Sequence, residues 1–127
     1  MLRKDTTEKY LKVIYDLTQR NKVVRACDIA EKMRFSRPTV CVMLRKLEEE
    51  GYIEYAGERV VVLTDLGCVI AERSAVRIRF FKSLLLQLGT PPKIAEQEAE
   101  QLSTVLSTES YERIYAYVTA HNVENKA

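Results

Sequence analysis

Apolar residues recur at helical spacing along most of the chain, and the pattern switches once to two short β-branched runs around a glycine turn. The first helix opens at Asp5-Thr6-Thr7-Glu8, with acidic side chains at the positive end of its dipole. Leu11, Ile14, Tyr15 and Thr18 form its inner face, Lys9, Lys12 and Asp16 form another, and Asn21-Lys22 ends it. A second, short helix over residues 25–33 turns Ile29, Ala30 and Met33 inward. Ser36 is an N-cap, Pro38 fits the first turn of a third helix, and Phe35 with Val40 occupies the hydrophobic-staple positions. Val40, Met43, Leu44 and Leu47 then share one face up to Gly51, the left-handed stop.

Tyr52–Tyr55 and Val60–Leu63 flank Ala56-Gly57-Glu58-Arg59 and predict a hairpin. Leu63-Thr64-Asp65-Leu66-Gly67 caps a long helix through Leu88, with Leu66, Val69, Ile70, Ile78, Phe81, Leu84, Leu85 and Leu88 available for burial. Gly89-Thr90-Pro91-Pro92 separates it from a helix that buries Ala95, Ala99, Leu102 and Leu106 and shows Glu96, Glu100, Ser103 and Thr104. Ser107-Thr108-Glu109 caps a last helix with Tyr111, Ile114, Tyr115 and Val118 inward, followed by a frayed polar tail from His121 to Ala127. The fold class is mainly α. A winged helix-turn-helix domain over residues 1–70 precedes an α-helical dimerisation domain over residues 71–127.

The face of the third helix opposite its apolar stripe carries Pro38, Thr39, Val42, Arg45 and Lys46. Small, polar and basic residues there suit a helix that enters a DNA groove by its N-terminal turn. The candidate DNA contacts are Ser36, Arg37, Pro38, Thr39, Arg45 and Lys46, with Arg59 at the wing tip. The arginines and Lys46 reach phosphates or guanine edges, and Ser36 and Thr39 reach phosphate. Charge agrees: the net +2 conceals +4 over residues 1–50 and −3 over residues 83–127. The apolar helices beyond the wing exceed what a winged domain needs, and predict a homodimer reading a palindromic double-stranded operator.

Composition narrows the remaining classes. No apolar run approaches the roughly 20 residues of a membrane span, and no signal region opens the chain, so the expected compartment is cytoplasmic. Cys27, Cys41 and Cys68 form no Cys-x-x-Cys pair, which argues against a zinc knuckle. Packing is the commoner role for such cysteines, although Cys41 near the DNA face is a candidate redox sensor. No nucleophile–base pair, phosphate loop or ligand cluster marks an enzyme.

Residues 5–15, Asp28-Ile29-Ala30-Glu31, Ser36-Arg37-Pro38-Thr39-Val40, Leu63-Thr64-Asp65-Leu66-Gly67 and Leu106-Ser107-Thr108-Glu109 resemble, in order and with few gaps, the diphtheria toxin repressor (DtxR/MntR) family of iron- and manganese-dependent repressors. The likeness runs from about residue 5 to residue 120 and suits the shorter two-domain type, without an SH3-like third domain. It implies a homodimeric repressor in which a divalent metal joins the first helix, the long helix and the helix after it. At the corresponding positions this chain has Lys9 and Lys12, then Ile78 in place of a histidine, Glu100, and Ser103-Thr104 in place of a Glu-His pair. Protonated lysine and isoleucine do not ligate, and one carboxylate with two hydroxyls is a poor manganese or iron site.

No cofactor is therefore expected. In place of the metal, Lys9 and Lys12 are expected to pair with Glu96 and Glu100. The alternatives are a genuine manganese or iron sensor using ligands such as Glu96 and Glu100, and a winged-helix protein-interaction module without DNA binding.

Overall fold

The computed structural model describes residues 3–21 and 23–126. Lys22 in the expected helix break and Ala127 in the expected tail lie outside them. Three helices come first: α1 (Lys4–Asn21), α2 (Ala26–Met33) and α3 (Arg37–Glu49). An antiparallel pair follows, β1 (Ile53–Ala56) and β2 (Val60–Leu63), and then α4 (Asp65–Gln87), α5 (Pro92–Val105) and α6 (Thr108–Lys126). The winged helix-turn-helix is thus present in the order read from the sequence. The polar segment from His121 is helical to Lys126.

The winged core is built from Tyr10, Leu11, Ile14, Val24, Ile29, Val40, Leu44, Leu47, Ile53 and Val61, each at most 2% exposed. On α1 the inner face includes Tyr10 and Leu17, whereas Thr18 is exposed and donates its hydroxyl to the Ile14 carbonyl at 2.8 Å. Such back-bonding satisfies Thr18 without burying it. The hairpin is held on both sides. Ile53 pairs with Leu63 and Ala56 with Val60, while the Val61 N–H donates to the Val24 carbonyl at 2.7 Å.

The expected domain boundary between residues 70 and 71 falls inside α4, whose Ala71 joins the winged core and whose Ile70 packs against it. The buried face of α4 is Gly67, Ala71, Ser74, Arg77 and Phe81. Leu66, Val69 and Leu88, expected to be buried, are 51%, 58% and 73% exposed. Small residues win the inner positions of the first half of α4, where close helix approach leaves little room for long side chains, while Arg77 and Phe81 take those of the second half.

Arg77 is only 6% exposed. Its Nη1 donates to the Leu106 carbonyl at 3.3 Å, its Nη2 donates to Thr108 Oγ1 at 2.9 Å, and the guanidinium lies 4.6 Å from the Tyr111 ring centroid. Its Nε is buried without a partner among the described residues. One side chain therefore ties α4 to the α5–α6 joint, where a free helix-end carbonyl needs a donor. Phe80 and Phe81 of α4 extend the seam edge-to-face against Tyr111 of α6, at 5.8 and 5.9 Å between centroids.

Candidate nucleic-acid interface

Helix α3 begins as its local chemistry dictates. Ser36 is extended at φ −71° and ψ 153°, and its Oγ accepts from the Thr39 N–H at 3.3 Å. The Ser36 hydroxyl in turn donates to Thr39 Oγ1 at 2.8 Å, which leaves the Thr39 proton free for an outside acceptor. Phe35 at the preceding position is 46% exposed, with its ring 6.4 Å from that of Tyr10. The helix ends in a Schellman motif: Gly51 has φ +83°, its N–H donates to the Glu48 carbonyl, and the Tyr52 N–H donates to that of Leu47, both at 3.0 Å.

Val40, Leu44 and Leu47 are fully buried beneath this helix. Ser36, Arg37, Pro38, Thr39, Arg45 and Lys46 are all exposed, together with Cys41 and Val42. Every one of the α3 positions singled out for DNA contact is thus on the surface, and the helix brings them onto its outward face. Arg37 in the first turn and Glu48 and Glu49 at the other end oppose the helix dipole, whereas Lys46 in the last turn favours it. Each opposed placement costs about 0.3–1 kcal/mol relative to the reverse, so folding stability does not account for Arg37, Glu48 and Glu49.

The wing tip is Gly57, Glu58 and Arg59. Gly57 and Arg59 have φ +54° and +58°, the left-handed region, which for Arg59 costs about 1 kcal/mol. Arg59 is exposed there, and Arg25 Nε donates to the Glu58 carbonyl at 3.4 Å, so a second cation lies beside the tip. Tyr55 on β1 bridges helix and wing. Burial raises its phenol pKa, with Glu48 and Cys41 adding to the rise while Arg59 and Arg45 oppose it. Sequence patterning does not single Tyr55 out, because only the folded hairpin brings it to α3.

The comparisons with known proteins bear on this surface. Residues 3–61 match the sequence model of the iron-dependent repressor N-terminal DNA-binding domain. The transcriptional regulator MntR of Salmonella typhimurium is 32% identical over 119 residues, which are 94% of this chain and 76% of that protein. This chain belongs to the iron- and manganese-dependent repressor family. The iron-dependent repressor IdeR of Mycobacterium tuberculosis is 32% identical over 111 residues, covering 87% of this chain and 48% of IdeR. The structure of the manganese regulator SloR superimposes with a TM-score of 0.78 at 30% identity, over 89% of this chain and 53% of SloR. The chain thus spans about half the length of those two relatives. Its class is DNA-binding transcriptional regulation, not catalysis.

Membership in a metal-dependent family raises the question of what donors this chain's residues offer a metal. Among the described residues no group of three or more His, Cys, Asp or Glu side chains gathers around a common point. Ser103, expected on the open side of α5, is 3% exposed and donates its hydroxyl to the Glu100 carbonyl at 2.7 Å. Thr104 donates to the Gln101 carbonyl at 2.9 Å. Ile78 offers no donor atom, and Lys9 and Glu100 are exposed. The expected pairing of Lys9 and Lys12 with Glu96 and Glu100 is not formed among the described residues: Lys12 bonds Asp16, four residues along its own helix. A partner one turn away on the same helix needs less ordering than one on a neighbouring helix.

Proposed function

We propose that this repressor-family chain binds an inverted-repeat duplex as a homodimer and does so without a transition metal. The observation that carries the reading is the exposed basic and polar face of α3 above its fully buried Val40, Leu44 and Leu47 stripe. Ser36, Pro38 and Thr39 lead the helix into the major groove, Arg37, Arg45 and Lys46 hold phosphates or guanine edges, and Arg59 touches the backbone from the wing. Metal independence follows from the donor set described above. A ligand shifts a conformational equilibrium only by its differential affinity for the two states, and a site with almost no affinity shifts almost nothing. Operator affinity is expected to agree within twofold in chelator and in excess manganese or iron at constant ionic strength. A gain of tenfold or more on adding either metal would overturn metal independence.

The homodimer is supported by apolar surface on the C-terminal helices. Val76, Leu86, Leu88, Val105, Tyr115 and Tyr117 are 42–73% exposed in the single chain. Exposed apolar side chains in this number are costly to leave in water. Two chains joined there would present two α3 helices to half-sites about one helical turn apart, or a multiple of it. Sedimentation at micromolar concentration should show a dimer with and without DNA; monomer alone under both conditions would refute this assembly.

A further inference from the structure

Val42 is 47% exposed at the centre of the α3 face. Pro38 and Thr39 precede it by one turn, and Arg45 and Lys46 follow it by one turn, all exposed. Folding gives no reason for a valine here. The stripe that anchors α3 is complete without it, and β-branched residues are weaker helix formers than the lysine or arginine a solvated position would favour. Its side chain has neither donor nor acceptor. Pressed against an amino group or a guanine edge, it would remove water from that group and return nothing. One major-groove feature suits it, the thymine 5-methyl group, which is the only apolar group on the base edges. A helical valine holds essentially one χ1 rotamer, so little side-chain freedom is lost when it docks.

We propose that Val42 reads a thymine 5-methyl group in each half-site and is a specificity-determining residue of this regulator. The proposal rests on the reading of α3 as the groove helix. It accounts for a stiff, apolar side chain held among cations on the face that base edges would pass. Where the neighbouring Arg37, Arg45 and Lys46 hold phosphates they supply affinity that varies little with sequence, whereas Val42 supplies discrimination at thymine.

The test uses a duplex selected from a randomised library by the full-length chain. Each thymine of the selected site is then replaced singly by deoxyuridine, which removes one methyl and leaves base pairing intact. At one symmetry-related position per half-site, wild-type affinity should fall about fourfold, and about fifteenfold with both methyls removed, the scale of one buried methyl. Val42→Ala should flatten that loss to less than twofold with unchanged helical circular dichroism. Arg45→Ala should lower affinity for both duplexes and keep their ratio. Absence of a methyl-sensitive thymine, or an equal penalty in Val42→Ala, would overturn the assignment while leaving the regulatory reading intact. A selection that enriches no sequence, together with duplex binding that ignores salt, would overturn the regulatory reading and this proposal with it.

Discussion

Alanine at Arg37, Arg45 and Lys46 together will lower operator affinity by about four orders of magnitude or more while leaving the fold unchanged. Each guanine-edge or phosphate contact removed costs of the order of 1–3 kcal/mol, and a dimer loses every contact twice. The salt dependence will also change. A lost phosphate contact makes the plot of log affinity against log salt shallower by about 0.9, so loss of these cations in both half-sites removes several units of slope. All three side chains are exposed, and the loss of Arg37, which opposes the helix dipole, offsets the loss of Lys46, which favours it, so thermal stability should hold. Fluorescence anisotropy across a salt series, paired with circular dichroism melting, gives both readouts. Affinity and slope equal to wild type would remove α3 from the interface.

Gly67→Ala will destabilise the protein by about 3 kcal/mol and lower its melting temperature by about 10 °C. In an open helix the same change gains up to about 1 kcal/mol, since alanine is the better helix former. Here an added Cβ would lie 2.1 Å from the backbone carbonyl oxygen of Tyr52 and 3.3 Å from Leu63 Cδ2. The obstacle is main chain, and it cannot swing aside. The Thr64 N–H donates to that same Tyr52 oxygen at 3.1 Å, Thr64 Oγ1 donates to the Gly51 carbonyl at 2.7 Å, and the Gly67 N–H donates to Thr64 Oγ1 at 3.1 Å. This stitch joins the end of α3 and the start of β1 to the first turn of α4. A shift large enough to admit the methyl would move the recognition helix relative to the helical unit, so operator affinity should fall as well. Urea unfolding of the variant with an unchanged midpoint would show that the junction relaxes freely.

The features legible in the sequence are those fixed by neighbours along the chain. Ser36 caps and Pro38 starts α3 because both act within one turn. Gly51 ends it because a left-handed residue is needed there, and the Gly57 turn follows from β-branched runs on either side. What was not legible depends on distance between elements. The inner face of α4 is selected by how closely α1 and α5 approach, so Gly67, Ala71 and Ser74 displace Leu66 and Val69. Arg77 reads as a surface cation until the α5–α6 joint supplies the Leu106 carbonyl, Thr108 and Tyr111 around it. Lys12 takes Asp16 in place of a cross-helix partner because the local pair is the cheaper one to order. At the candidate site, the exposed face of α3 was readable from periodicity, whereas the approach of Tyr55 to Arg45 and Arg59 required the folded wing.

The charge order along α3 also constrains how the helix can be wrong. Its first turn carries Arg37 and no acid, while Arg45 and Lys46 near the other end are followed by Glu48 and Glu49, over a length of 13 residues. Near a polyanion the three cations are attracted and the terminal carboxylates repelled, so the helix experiences a torque as well as an attraction. The pose in which Arg37, Arg45 and Lys46 face the duplex and Glu48 and Glu49 are lifted away is stabilised. A pose slid one turn further in, or entered from the other end, drives carboxylates against phosphates. Discrimination between correct and shifted registers is thereby built in before any base is read, and it strengthens as salt is lowered, the condition under which non-specific binding would otherwise gain most.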